Sequence, residues 1–240
     1  MRLDPRAELA ALWWFLAAPR RTLSAHSRST SLGTHWSVRA LFFAAAALML
    51  NIVIEFGVLS PLADRASIAS KLPQAVTLGW TLLALAFAPV VEELVFRAGL
   101  RQAGYTLFIG PALIALIAVP GRRPTLIVVA ILLTLALAAW LLCRHVLFRR
   151  AGARFAAGRR FVVRHGWVFW AYAAAFALMH VGNYTWNGPR GALVVLLVAP
   201  QFVVGVVAGY VRIRDGLRAS VLLHFASNAV AVALMAMLPP

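Results

Sequence analysis

Long apolar runs recur along this chain, and they constrain its fold more than any other feature. A stretch of about 20 apolar residues is the length that an α-helix needs to cross a bilayer. Only 12% of the residues are charged, against about 25% in an ordinary soluble domain. The sequence therefore excludes a soluble globular domain and predicts an all-α polytopic transmembrane bundle of about seven spans. The candidate spans are 38–58, 76–100, 105–120, 124–143, 166–186, 191–211 and 217–238.

A basic segment, residues 1–37, precedes the first span. It contains a short apolar piece with Trp13 and Trp14, which is too short to cross a membrane. Asp4 and Glu8 stand where the first part of a secretory signal peptide should be purely basic. We therefore predict a helix that lies in the membrane interface and is held there by its tryptophans.

The remaining residues, 38–240, are predicted to form a single membrane helical domain. We interpret 105–160 as an insert, in which a membrane hairpin is followed by a basic loop. The segments on either side of it, 76–104 and 165–235, contain the residues that are considered below as a catalytic core.

Positive charge predicts the orientation of the chain. There are 23 Lys and Arg residues against 7 Asp and Glu residues, which gives a net charge of +16. Because these cations lie between apolar runs, we interpret them as topology signals next to anionic lipid rather than as a nucleic-acid surface. Most arginines, including those of 144–165, are cytoplasmic if the N-terminus is cytoplasmic. The preference for Arg over Lys is typical of a GC-rich bacterial genome, so we predict a bacterial inner-membrane protein with its N-terminus cytoplasmic and its C-terminus outside.

Two adjacent carboxylates, Glu92 and Glu93, lie inside the second apolar run, where a charge is costly. Adjacent helical residues point about 100° apart, so the two carboxylates cannot share one role. Glu93 and Arg97 are spaced i,i+4 in the order that favours an ion pair. This leaves Glu92 directed elsewhere, and Pro89 disturbs the helix nearby. The alternative is that all three charges extend toward the interface from the end of a helix.

Three further polar residues lie in later apolar runs. Phe176 lies one turn before His180 and shares its helical face. His224 and Asn228 are also spaced i,i+4, and two donors on one face can bind a single oxyanion. Each of these residues could instead be a packed histidine or part of an interhelical hydrogen-bonded pair. Together with Glu92, they supply a base, a residue that positions water, and oxyanion donors.

Three motifs carry a resemblance to a known family. They are Glu-Glu-x-x-x-Arg at 92–97, Phe-x-x-x-His at 176–180 and His-x-x-x-Asn at 224–228. In this order, and each in an apolar helix, they resemble the signature motifs of the CPBP family. That family includes CAAX prenyl endopeptidases of the Rce1 type and bacterial bacteriocin-processing and Abi-like proteins. The resemblance covers about 85–105 and 165–235.

The resemblance implies an all-α intramembrane endopeptidase that cleaves a membrane-associated or lipid-tethered protein or peptide. It implies that Glu92 is the general base that activates water, and that His180 shares this water. It also implies that His224 and Asn228 stabilise the tetrahedral oxyanion. The supporting residues would be Glu93, Arg97 and Phe176.

No cofactor is predicted, and zinc is the alternative. If zinc is bound, its ligands would be Glu92, His180 and His224, since two histidines and a glutamate can leave one coordination position open. No His-x-x-x-His pair is present, and the single Cys143 excludes a multi-cysteine zinc site. A glutamate-type mechanism therefore fits the sequence better than a zinc-dependent one.

Two other functions are consistent with these residues. A non-catalytic immunity or scaffold protein could reuse the same fold. A small transporter could relay protons through intramembrane Glu and His residues, but no internal repeat is found. We interpret Gly205-x-x-x-Gly209 as a helix-packing motif.

The depth of the site is a further expectation to test. At 1.5 Å per residue, His180 would lie about 20 Å from the cytoplasmic end of its span, whereas Glu92 lies nearer to its own end. These two residues can meet only if the helices are tilted or shifted, or if the second span continues to about Gly104.

Overall fold

The computed structural model of the chain is almost entirely helical in the residues that it describes. These are residues 3–17, 36–66, 68–70, 77–101, 104–118, 164–185 and 193–237. The predicted span 124–143 and the basic loop after it lie outside the described residues, except for the end of that loop at 164–165.

The described residues form ten α-helices with short irregular helical segments between them. The α-helices are α1 Pro5–Ala17, α2 Trp36–Ile54, α3 Ser60–Ala66, α4 Leu78–Leu82, α5 Ala88–Phe96, α6 Gly110–Ala118, α7 Gly166–Met179, α8 Val194–Leu197, α9 Ala199–Asp215 and α10 Leu217–Met237. π-Helical segments occupy Glu55–Leu59, Leu83–Phe87 and Tyr105–Ile109, and 3-10 helices occupy Ala98–Arg101 and His180–Asn183. Two short strands, β1 Ala69–Ser70 and β2 Tyr184–Thr185, pair antiparallel.

Within the described residues, three helical stretches are long and apolar enough to cross a bilayer. They are Trp36–Ala63 with 28 residues, Leu78–Phe96 with 19 residues and Leu217–Leu234 with 18 residues. Few of their residues are buried inside the protein, and many large apolar side chains face outward. Because water does not favour such a surface, these helices are embedded in lipid.

The other predicted spans are shorter or lie elsewhere in the described part of the chain. The third corresponds to a helical stretch from Tyr105 to Ala118, and the fifth ends as an α-helix at Met179, before its predicted end. The sixth is displaced toward the C-terminus, because α9 continues to Asp215. The helical membrane fold is therefore established, while the number of seven spans stays a prediction.

Helix α9 lies at the centre of the described bundle, where it packs against α7, α2 and α10. Two glycines allow its close approach to α7. A Cβ at Gly205 would lie 3.2 Å from Cδ1 of Phe176, and a Cβ at Gly209 would lie 2.8 Å from Cε2 of Phe169. The predicted packing role of this motif is confirmed, and the contact positions α7, the helix that directly precedes His180.

The N-terminal helix α1 packs onto this bundle through one aromatic residue. Phe15 is buried, and its ring centroid lies 5.1 Å from that of Phe169 and 5.2 Å from that of Tyr210. Trp13 and Trp14 are exposed, as an interfacial anchor requires.

Ion pairs attach the same helix to two others. Glu8 of α1 bridges Arg39 of α2 and Arg214 of α9, and its oxygen lies 3.1 Å from Nε of Arg39. Arg39 also pairs with Asp215. This partly buried cluster joins the N-terminal helix to the membrane domain.

Candidate active site

Three of the predicted catalytic side chains meet in the structure, although they come from three separate parts of the chain. Oε2 of Glu92, on α5, lies 3.6 Å from Nε2 of His224 on α10 and 4.0 Å from Nε2 of His180 at the end of α7. His224 is buried, whereas Glu92 and His180 keep part of their side chains accessible. The site is therefore assembled inside the bundle but remains reachable from outside it.

The backbone irregularity after α7 positions His180. The α-helix ends at Met179, and His180 begins the 3-10 helix that follows. Nδ1 of His180 donates a hydrogen bond of 2.8 Å to the carbonyl oxygen of Phe176. Because a carbonyl can only accept, this bond assigns the proton of a neutral ring to Nδ1. The lone pair on Nε2 is then left on the side of Glu92.

Helix α5 presents its second carboxylate to a different set of partners. Glu93 is fully buried, and its Oε1 lies 3.1 Å from Nη1 of Arg97 and 3.0 Å from Nδ1 of His224. The predicted i,i+4 ion pair between Glu93 and Arg97 is therefore present. His224 donates from Nδ1 to this carboxylate, so a neutral His224 also has its lone pair at Nε2, toward Glu92.

The ring of Phe176 packs against Arg97, His180 and His224. The guanidinium carbon of Arg97 lies 3.7 Å from the centroid of this ring, as in a cation–π contact. The rings of His180 and His224 approach it edge-on, with centroid distances of 4.8 Å and 5.7 Å. Phe176 thus orients both histidines and covers the buried ion pair.

The charges and lone pairs of this cluster define what it can bind. Glu92 and Glu93 carry two negative charges, and Arg97 carries one positive charge, so one additional proton or cation makes the cluster neutral. Oε2 of Glu92 is buried and has no hydrogen-bond partner among the described residues. It faces the Nε2 atoms of two histidines, both of which are acceptors when neutral. A molecule with two hydrogens to donate, such as water, suits this group of acceptors.

Asn228 makes a different contact from the one that the sequence predicts for it. Its side-chain Nδ2 donates a hydrogen bond of 2.9 Å to the backbone carbonyl of Ala84, in the π-helical segment before α5. An amide nitrogen carries two hydrogens, so one remains for another acceptor. The role of Asn228 at an oxyanion stays a prediction.

Two residues that the sequence analysis did not place at the site support its backbone. Arg212 of α9 donates to the carbonyls of Arg97 and Ala98, at 2.9 Å and 3.1 Å, and so caps the end of α5. Arg101 makes the reciprocal contact, donating at 2.7 Å to the carbonyl of Ile213 near the end of α9.

A third residue, Ser220, is buried one turn before His224 and lies next to the Glu93 carboxylate. From the sequence, Arg212 and Arg101 are interpreted only as topology signals, and Ser220 is not identified. The roles of Arg212 and Arg101 could have been predicted from one rule: a helix that ends inside a protein leaves backbone carbonyls without donors, and arginine can supply them.

The chain beyond α5 bears on the expected depth of the site. It continues as the 3-10 helix Ala98–Arg101, and Arg101 binds the end of α9. The apolar stretch long enough to cross a membrane ends at Phe96, so the extension of the second span to about Gly104 stays a prediction.

Glu92, His180 and His224 are the side chains that would hold a zinc ion. Tetrahedral zinc holds its ligands about 2.0–2.2 Å away, which places the ligand atoms roughly 3.3–3.6 Å apart. The distance of 3.6 Å between Glu92 and His224 falls within this range, whereas the 4.0 Å between Glu92 and His180 is wider. Among the residues that the structure describes, no group of three His, Cys, Asp or Glu side chains is arranged as a metal site.

Comparison with known proteins identifies the family to which this arrangement belongs. Residues 74–230 match the family described as type II CAAX prenyl endopeptidase, Rce1-like. No curated protein and no solved structure matches the chain. The family match covers more than half of the chain and includes Glu92, Glu93, Arg97 and both histidines of the site. The chain therefore belongs to the Rce1-like family of CAAX prenyl endopeptidases, a family of membrane proteases.

Proposed function

We propose that this protein is an intramembrane endopeptidase that hydrolyses a peptide bond of a membrane-associated or lipid-tethered protein or peptide. The observation that carries the proposal is the convergence of Oε2 of Glu92 with the Nε2 atoms of His180 and His224. Family membership supports proteolysis as the reaction. The site belongs to a membrane-embedded bundle, so its substrate is expected to reach it from the bilayer or its surface.

Glu92 is the general base of the proposed reaction. A water molecule donates one hydrogen to Oε2 of Glu92 and the other to Nε2 of His180, which leaves an oxygen lone pair free to attack. Two acceptors that share one water stand roughly 4–4.5 Å apart, close to the observed 4.0 Å. As the water oxygen bonds to the substrate carbonyl carbon, its proton passes to the Glu92 carboxylate.

His224 and Asn228 are proposed to stabilise the oxyanion of the tetrahedral intermediate. His224 can donate from Nε2 only as an imidazolium, because Nδ1 already donates to Glu93. The buried Glu93 carboxylate, 3.0 Å from Nδ1, lies behind the ring on the side away from Glu92. The second amide hydrogen of Asn228 is the other donor.

Collapse of the intermediate returns the proton to the substrate. Glu92 donates the proton that it received from water to the leaving amine nitrogen as the carbon–nitrogen bond breaks. The products are a new carboxylate and a new amine, and Glu92 is regenerated in its ionised form. Both histidines are held in place by Glu93, Arg97 and Phe176, which do not exchange protons in this reaction.

The proposed setting is a bacterial inner membrane with seven spans, a cytoplasmic N-terminus and an external C-terminus. The basic residues between the apolar runs would then contact anionic headgroups on the cytoplasmic side. We propose lipids and a peptide or protein substrate as partners, and no nucleic acid.

The test is a cleavage assay with the purified full-length chain in proteoliposomes. The substrates are a C-terminal CAAX peptide with a prenyl group and the same peptide anchored by an acyl chain. Reaction in oxygen-18 water reveals hydrolysis as one labelled oxygen in the new carboxylate. Glu92→Gln should abolish cleavage, and Glu55→Gln, which neutralises another carboxylate of the apolar runs, should leave it intact.

The outcomes distinguish the alternatives. If Glu92→Gln cleaves at the wild-type rate, Glu92 is not the base and the proposed mechanism is wrong. If activity disappears on chelation and returns with zinc, and the purified protein contains one zinc per chain, the glutamate-type mechanism gives way to a zinc-dependent one. A biological phenotype that survives Glu92→Gln would indicate an immunity or scaffold role instead.

A further inference from the structure

The π-helical segment before α5 leaves a backbone carbonyl without a donor from its own helix. In an α-helix, the carbonyl of Ala84 would accept from the N–H of Ala88. Here the N–H of Ala88 bonds to the carbonyl of Leu83 instead, because the segment Leu83–Phe87 has the wider π-helical register. In that register the donor to Ala84 would be residue 89, which is a proline and has no N–H.

Asn228 supplies the missing donor. Its Nδ2 lies 2.9 Å from the carbonyl oxygen of Ala84, and the bond joins two helices that are 144 residues apart in sequence. A carbonyl without a partner inside a membrane protein costs free energy, so this side chain stabilises the irregular segment. Pro89 and Asn228 are therefore complementary, since one removes a donor and the other replaces it.

The bond lies next to the catalytic residues on both helices. Asn228 is one turn beyond His224 on α10, and Pro89 is less than one turn before Glu92 on α5. The register of the segment that starts at Leu83 determines where the following helix places Glu92. A shift from π to α register would remove one residue from this part of the helix and rotate Glu92 by about 100°.

We infer that Asn228 is a positioning residue that binds the Ala84 carbonyl left free by Pro89 and thereby fixes Glu92 opposite His224. The inference rests on the proposed function, because it assigns Asn228 a task beyond the oxyanion. It predicts that Asn228 and Pro89 act as a coupled pair, whereas an oxyanion donor would act independently of Pro89.

A double-mutant cycle of Asn228→Ala and Pro89→Ala tests this inference in proteoliposomes. Asn228→Ala should lower kcat with little change in KM and should raise amide hydrogen exchange at Phe87 and Ala88 by about threefold to tenfold. This range corresponds to one interhelical hydrogen bond in a membrane. Pro89→Ala restores an N–H, so both effects of Asn228→Ala should shrink in its background. The matched control is Ser227→Ala, since among the described residues the hydroxyl of Ser227 bonds within its own helix, at 3.0 Å to the carbonyl of Leu223.

The hydrogen-exchange measurement needs no substrate, so it separates this inference from the proposed function. If exchange at Phe87 and Ala88 is the same in Asn228→Ala and in wild type, the positioning role is wrong, even if cleavage is lost. Equal effects of Asn228→Ala on kcat in the wild-type chain and in the Pro89→Ala background would also overturn it and would leave only the oxyanion role. If the exchange result holds while no peptide is cleaved, the positioning contact stands and the proposed function fails.

Discussion

Glu92 and Glu93 are adjacent carboxylates, but substitution by glutamine should change the stability of the protein far more at Glu93 than at Glu92. Glu93 is fully buried between Arg97 and His224, and Arg97 itself is 2% exposed. In Glu93→Gln, the guanidinium loses its nearest charge while it remains buried. Removing one member of a buried ion pair typically costs about 3–5 kcal/mol, a factor of roughly 10² to 10³ or more in the folding equilibrium.

Glu92→Gln should behave differently because it leaves Arg97 with its nearest opposite charge, Glu93. Arg97 and Glu93 still neutralise each other, and Oε2 of Glu92 makes no hydrogen bond that the substitution could remove, among the described residues. We expect a change in stability of less than about 1 kcal/mol, as for other weakly coupled charges, together with loss of cleavage.

The assay is reversible denaturant unfolding of the full chain in mixed micelles, followed by circular dichroism. A third variant, Glu93→Gln with Arg97→Met, removes both charges and should recover much of the stability lost in Glu93→Gln. If Glu93→Gln and Glu92→Gln have the same unfolding free energy, or if the double variant is no more stable than Glu93→Gln, Glu93 does not neutralise Arg97 and the reasoning fails.

Two further predictions use the same unfolding measurement. Gly209→Ala should lower the free energy of unfolding by about 1–3 kcal/mol, because its Cβ would lie 2.8 Å from the buried ring of Phe169. The control is Gly57→Ala, whose Cβ would meet nothing within 4 Å. Equal effects of the two substitutions would refute close packing of α7 on α9. Glu8→Gln should lower it by about 1–3 kcal/mol through lost charged hydrogen bonds to Arg39 and Arg214. Its control is Asp4→Asn, which keeps the oxygen that accepts from the Arg6 N–H at 3.0 Å, and a smaller effect of Glu8→Gln than of this control would contradict the prediction.

Contacts within one helix were predictable from the sequence, because helical geometry fixes them. The i,i+4 spacing of Glu93 and Arg97 predicts their ion pair without any knowledge of neighbouring helices. The meeting of Glu92 with His180 and His224 is different. It depends on how three helices pack, and only the resemblance of the motifs to a family indicated it.

The docking of α1 could not be predicted from local pattern. Trp13, Trp14 and Phe15 are consecutive aromatic residues, and nothing in their spacing indicates that only Phe15 is buried. Its burial depends on Phe169 and Tyr210, more than 150 residues away in sequence. The π-helical segments could not be predicted either, because an apolar sequence looks the same whether its backbone hydrogen bonds follow the α-helical or the π-helical register.

Two of the backbone irregularities in the described residues lie next to the proposed catalytic residues. His180 begins a 3-10 helix, and Glu92 follows both a π-helical segment and a proline. In a bilayer, such breaks persist only where other groups satisfy the freed carbonyls. Here side chains of α9 and α10 do so, with Arg212 at the end of α5 and Asn228 before it. The position of Glu92 is therefore determined from both ends of its helix by residues far away in sequence. A substitution of Arg212 or Asn228 should displace the Glu92 carboxylate, although neither residue contacts it.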